Sequence, residues 1–144
     1  MENKSVIIDA TRSPIGIKNG EMVGIRPDDL AAQVVKGLMA RNNKVTSDQV
    51  EDLIMGCAFP EGPQGMIIGR SVAALAGLPQ SVPAKVVNRF CGSAMDALHQ
   101  VSTSIESGDL EVGIAAGVED MFSIPPGGFA PDFHPELAEQ EYYI

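Results

Sequence analysis

Apolar positions in this chain fall into short uniform runs that alternate with stretches of helical spacing. Val6-Ile7-Ile8 is a β-branched run that gives way to Thr11-Arg12-Ser13-Pro14, and residues 53–59, 83–87 and 112–117 are further runs of the same kind. Uniform rather than alternating apolarity is what a parallel strand covered on both faces shows, so four strands are predicted. Between the first two, Pro27-Asp28-Asp29 opens a helix whose apolar positions Leu30, Val34, Val35 and Leu38 share one face. Thr46 with Gln49 three residues on reads as a capping box ahead of the second strand. A second helix over residues 66–76 is stopped by Gly77-Leu78-Pro79. A third begins at Ser93 and carries Ala94, Leu98, Val101 and Ile105 on one stripe until Gly108-Asp109. The order β-α-β-α-β-α-β predicts an α/β fold: an open, mostly parallel sheet with helices on both faces. The third, second, first and fourth strands are expected side by side in that order, which leaves the third at an edge. Past Gly117 the pattern fails, with four prolines and two glycines between residues 124 and 135.

Composition narrows the function. The 144 residues are 44% hydrophobic, enough for a core, and no apolar run reaches the roughly 18 residues that span a bilayer. The N-terminus has neither a signal-peptide core nor a basic leader, so a cytoplasmic chain without a membrane span is expected. A net charge of -9 excludes a phosphate-tracking nucleic-acid surface. Two cysteines, Cys57 and Cys91, are too few for a disulfide framework and are not spaced for zinc; no metal site is expected. Phosphate-loop and dinucleotide-loop glycine patterns are absent.

The chemistry concentrates at Asn88-Arg89-Phe90-Cys91-Gly92-Ser93, where a cysteine sits between a strand end and the first turn of a helix. Unpaired N–H groups at a helix N-terminus favour a thiolate and can hold an oxyanion. Small neighbours keep the sulfur approachable, and strand-to-helix turns are where open α/β sheets bind ligands. On these residues alone, Cys91 stands between a catalytic thiolate and an inert small hydrophobe. No partner base is evident. His99 lies eight residues along the helix, about 12 Å of axial rise, and reads as a helix-face residue; His134 reads as a loop residue. Cys57, inside an apolar run, reads as core. Arg12 and Arg70 read as salt-bridge partners, and Glu119-Asp120 as a solvated turn.

The segment from Asn88 to Ser93, with Met95 and Ala97-Leu98, resembles the nucleophile segment of the thiolases. Asp9-Ala10-Thr11-Arg12-Ser13-Pro14, Gly117-Val118-Glu119-Asp120-Met121 and Asp132-Phe133-His134-Pro135 match in the same order, the last being most like the degradative 3-ketoacyl-CoA thiolases. The resemblance covers essentially the whole chain. It implies the N-terminal half of a thiolase fold, with residues 1–118 as a half-domain and 119–144 as the start of an inserted loop domain. It implies an acetyl-CoA C-acyltransferase of fatty-acid β-oxidation that cleaves 3-ketoacyl-CoA to acetyl-CoA and a shortened acyl-CoA. Cys91 matches the nucleophile that carries the acyl thioester, and its backbone N–H one donor of the oxyanion hole. No cofactor is implied, coenzyme A being a substrate. The implied partners are acyl-CoA and coenzyme A, a second copy in a homodimer or tetramer, and a β-oxidation multienzyme assembly. The family's Gly-His-Pro histidine, Asn-Glu-Ala-Phe motif and second active-site cysteine do not occur in this sequence, and Ala94 stands where Gly or Ser is common. The chain by itself is therefore expected to be incomplete and inactive. Two alternatives stay open: a non-catalytic thiolase-like subunit for assembly or lipid-thioester binding, and a ketosynthase-type condensing enzyme.

Overall fold

A computed structural model describes residues 4–139. The regular elements are α1 (Pro27–Arg41), β1 (Asp52–Gly56), α2 (Ile68–Ala76), β2 (Ala84–Val87), α3 (Ser93–Ser107), β3 (Gly113–Gly117) and α4 (Pro135–Glu139). The three strands form a wholly parallel sheet in the order β2-β1-β3. The helices begin and end where local chemistry dictates. Pro27, Asp28 and Asp29 occupy the first turn of α1 and Arg41 its last, each sign matching the helix dipole. Gly77 and Gly108 adopt the left-handed conformation that closes α2 and α3. The expected capping box forms, with the Thr46 N–H donating to Gln49 Oε1 at 2.9 Å, but it opens only a single 3-10 turn, Ser47–Gln49.

Two apolar layers flank the sheet. Leu53 and Met55 of β1, with Cys57 beyond it, pack beneath α1 and α2 against Ala31, Ala32, Val35, Ile68, Val72 and Ala73. Ile54 points the other way, onto Ala97 and Val101 of α3. Both faces of β1 are thus buried, which explains its uninterrupted apolar sequence. The predicted face of α1 is rotated. Ala31, Ala32 and Val35 are buried, whereas Leu30, Val34 and Leu38 are half-exposed along an open groove of about 430 Å³ that residues 9–13 also line. Small residues let α1 approach α2 closely, so the alanines rather than the leucines take the contact.

The first predicted strand is corrected. Val6, Ile7 and Ile8 have no regular secondary structure, belong to no sheet and are 73%, 71% and 66% exposed. Nor does this segment separate the second and fourth predicted strands: β1 and β3 pair directly, from Asp52 opposite Gly113 to Gly56 opposite Gly117. With β2 on its other side, β1 has no free ladder position. The N-terminal segment is held by polar contacts instead. Ser5 Oγ donates to Glu106 of α3, and Asp9 accepts from Arg41 and Asn42 at the end of α1. A cavity of about 360 Å³ lies between this segment, α3 and β3. Among the described residues no helix is long and apolar enough to cross a membrane.

Candidate active site

The C-terminal ends of the strands carry the segments that matter. Val87 O accepts the Cys57 N–H at 3.1 Å and Gly56 O accepts the Val118 N–H at 3.0 Å, so the three strands leave the sheet in register. The first turn of α3 sits almost on the backbone of β1. A Cβ placed on Gly56 would meet Ala94 N and Ser93 C at 2.4 Å, and one on Gly117 would meet Ala94 Cβ at 2.6 Å. Two glycines on adjacent strands therefore admit the helix N-terminus, and Ala94 fits there because its side chain is a single methyl.

Cys91 is exposed, two residues ahead of α3, whose N-cap is Gly92. The loop that presents it is tightly bonded. Phe90 has φ +47°, a left-handed conformation unusual for an aromatic residue. Its N–H donates to Asn88 Oδ1 at 2.9 Å. Ser93 Oγ donates to Phe90 O at 2.6 Å and accepts the Arg89 N–H at 2.8 Å. The N–H groups of Gly92 and Ser93 go to Arg89 O and Phe90 O, whereas the Cys91 N–H has no backbone acceptor of this kind among the described residues. Arg89 pairs with Asp96 at 3.4 Å across the first turn of α3.

The other titratable candidates separate cleanly. Cys57 is fully buried; desolvation first, and the neighbouring Glu119 carboxylate second, push its thiol up to about 12. It is a core residue, as its apolar context implies. His99 and His134 are exposed, and neither hydrogen-bonds to Cys91. His134 caps α4 through its carbonyl, which accepts from Leu137 and Ala138. Among the described residues no three His, Cys, Asp or Glu side chains are grouped to hold a metal.

Two expectations are corrected here and a third is extended. Arg70 makes no ion pair among the described residues; its guanidinium donates to Val82 O and Gln80 O, fixing the turn between α2 and β2. Among the described residues Arg12 bonds only Ser13 O, in its own loop. Glu119 is exposed, as a solvated turn implies, but its carboxylate is also committed to the fold: it accepts from Ala58 N at 2.6 Å, Phe59 N at 3.2 Å and Gln64 Nε2 at 2.7 Å. Gln64, fully buried, also donates to Phe59 O and accepts the Asp120 N–H. Asp120 closes the next turn. Burial raises its pKa, but bonds from Ser123 Oγ and the N–H groups of Phe122 and Ser123 outweigh that and lower it overall. Sequence reasoning passed over Gln64 and read Glu119 only as a turn residue, because they bond to groups about 55–61 residues away along the chain. The available signal was position, since each lies in a segment that follows a strand at the sheet's C-terminal end.

A thiol at that end of a parallel sheet, against a helix N-terminus, is common to several acyl-transfer families, and comparison with known proteins decides among them. The family model for the thiolase N-terminal domain matches residues 5–131. The chain belongs to the thiolase family. A 3-ketoacyl-CoA thiolase of Aliivibrio fischeri is 45% identical over 135 residues, which are 93% of this chain and 35% of that protein. One of Salmonella typhimurium is 42% identical over 92% of this chain and 34% of its own length. The crystal structure of an acetyl-CoA acetyltransferase of Bacillus anthracis superposes with a TM-score of 0.78 at 31% identity, covering 86% of this chain and 31% of that one. The chain thus spans about a third of the length of the curated thiolases it matches.

Proposed function

We propose that this chain provides the nucleophile region of a thiolase that cleaves 3-ketoacyl-CoA. The observation that carries the proposal is an exposed Cys91, fixed by a bonded loop against the N-terminus of α3, within a segment matched to the thiolase N-terminal domain. In the reaction the Cys91 thiolate adds to the keto carbon, and the negative charge on its oxygen is met by the Cys91 N–H. The bond between the keto carbon and the adjacent methylene carbon breaks. Its electron pair leaves with the methylene carbon as the enolate of acetyl-CoA, which takes up a proton. The acyl group stays on sulfur until a coenzyme A thiolate attacks it and releases the cysteine. The proton donors and acceptors of these steps correspond to the family's histidine and second cysteine, whose motifs this sequence does not contain. Residues 119–144 correspond on this reading to the start of the inserted loop domain. We place the protein in the cytoplasm, and as a dimer joined at the free edge of β2.

The test is single-turnover acylation. Purified chain incubated with acetyl-CoA should acquire one acetyl group, mapped to Cys91 by peptide mass, and Cys91→Ser should acquire none. No steady turnover of a 3-ketoacyl-CoA should follow, because among the described residues no side-chain base hydrogen-bonds to Cys91. Acylation of Cys57, or the same acylation in Cys91→Ser, would end the assignment. Light scattering should give a particle larger than 15.2 kDa.

A further inference from the structure

Phe90 raises a question that its own loop does not answer. A non-glycine residue held in the left-handed region costs roughly 1–3 kcal/mol, so its surroundings must over-determine it. Asn88 is the key partner, because its Oδ1 accepts the Phe90 N–H at 2.9 Å. The other end of that side chain is also committed: Asn88 Nδ2 donates to Ala58 O at 2.8 Å. Ala58 O belongs to the peptide unit whose N–H is that of Phe59, and this N–H donates to Glu119 Oε1. One rigid plane therefore has its oxygen on Asn88 and its hydrogen on a carboxylate. Ala58 N–H, in the preceding plane, donates to the other carboxylate oxygen at 2.6 Å, and Gln64 ties Glu119 to Phe59 O. The ring of Phe59 lies 6.0 Å from that of Phe90, tilted by 43°.

We infer that Glu119 is a positioning residue for Cys91, acting through the Ala58–Phe59 peptide and Asn88 to hold Phe90 in the conformation that presents the sulfur. A carboxylate suits the place because every group facing it is a donor, three N–H groups and the Cys57 thiol at 3.9 Å, and charge-assisted donation polarises the peptide so that its oxygen accepts more strongly from Asn88. An amide at 119 would turn an NH₂ group toward one of those donors. The inference rests on Cys91 being the acyl-accepting nucleophile, but the loop geometry it concerns is measurable separately.

The experiment compares wild type, Glu119→Gln, Asn88→Asp and the double variant, with Leu53→Ala as a destabilised control. Each is assayed at a temperature where unfolding curves show it fully native. Two rates are followed: acetyl transfer from acetyl-CoA to Cys91, and the pH–rate profile of Cys91 alkylation by iodoacetamide. Both single variants should slow acetylation by about tenfold and displace the alkylation profile, a size typical of small misplacements of a reacting group. The double variant should be no slower than the worse single, because the two residues act in series. Leu53→Ala should leave both readouts unchanged. Wild-type rates and profile in Glu119→Gln, or additive losses in the double variant, would overturn the inference. If wild-type Cys91 takes no acetyl group, the functional proposal fails, and the alkylation profile alone decides the positioning role.

Discussion

Gly117→Ala tests how closely the first turn of α3 is seated on the sheet. The added methyl would lie 2.6 Å from Ala94 Cβ, where two methyl carbons need about 3.5–4.0 Å. Either α3 retreats by about 1 Å or β3 bends away from it. Overpacking in a closed core costs about 1–3 kcal/mol, an upper bound here because Gly117 and Ala94 are both exposed, and replacing a strand glycine returns about 0.5–1 kcal/mol through the unfolded chain. The net expectation is a loss of about 1–2 kcal/mol, read from urea unfolding as a lower midpoint at unchanged slope. The cause can be isolated because the clash has one principal partner. In Gly117→Ala combined with Ala94→Gly the opposing methyl is gone, so the double variant should be more stable than the sum of the single effects predicts, by about 1–2 kcal/mol. Additivity within about 0.5 kcal/mol, or a Gly117→Ala chain as stable as wild type, would show that α3 is not seated on Gly117 and that the loop carrying Cys91 is not fixed from this side.

Leu53→Ala removes the largest side chain from the centre of the α1–α2 layer and should cost about 2–5 kcal/mol in the same urea assay. Hydrogen bonds from Arg41 first, then from Asn42, hold the Asp9 carboxyl below its usual range. Its stabilising effect is present above the unfolded-state pKa and is lost as pH falls through the lowered folded value. Asp9→Asn should therefore flatten the acid limb of stability against pH, by a small amount because the pair is exposed, and should leave neutral-pH folding intact. Cys57 runs the other way. Its thiol is favoured neutral in the fold, so stability should fall as pH rises from the ordinary thiol range toward about 12, and Cys57→Ala should lack that component. At neutral pH iodoacetamide should label Cys91 alone, with Cys57 reacting only in denaturant; equal labelling in the native chain would contradict the burial of Cys57.

The local elements were written in the sequence because their causes are local. Pro27 with two aspartates starts a helix, Gly77 and Gly108 end two others, and the apolar run at Leu53-Ile54-Met55 makes a strand covered on both faces, whatever else the chain does. The position of Cys91 before α3 follows from the same rules, and the motif around it resembles the thiolases strongly enough to name the family. Pairing was not legible in this way. Val6-Ile7-Ile8 has as good a strand composition as β2, yet the interior place predicted for it, beside β1, is closed because β1 pairs directly with both β2 and β3. The face of α1 that is buried was also decided at long range, by which residues are small enough to meet α2. Glu119 shows the limit most clearly. As sequence it is one acid beside another; only the convergence of β1, β2 and β3 at one end of the sheet brings three N–H donors to its carboxylate and ties it to the loop before Cys91. Propensity and capping act within a few residues of their cause, whereas hydrogen-bond partners sixty residues apart exist only once the core has fixed where the strand ends lie.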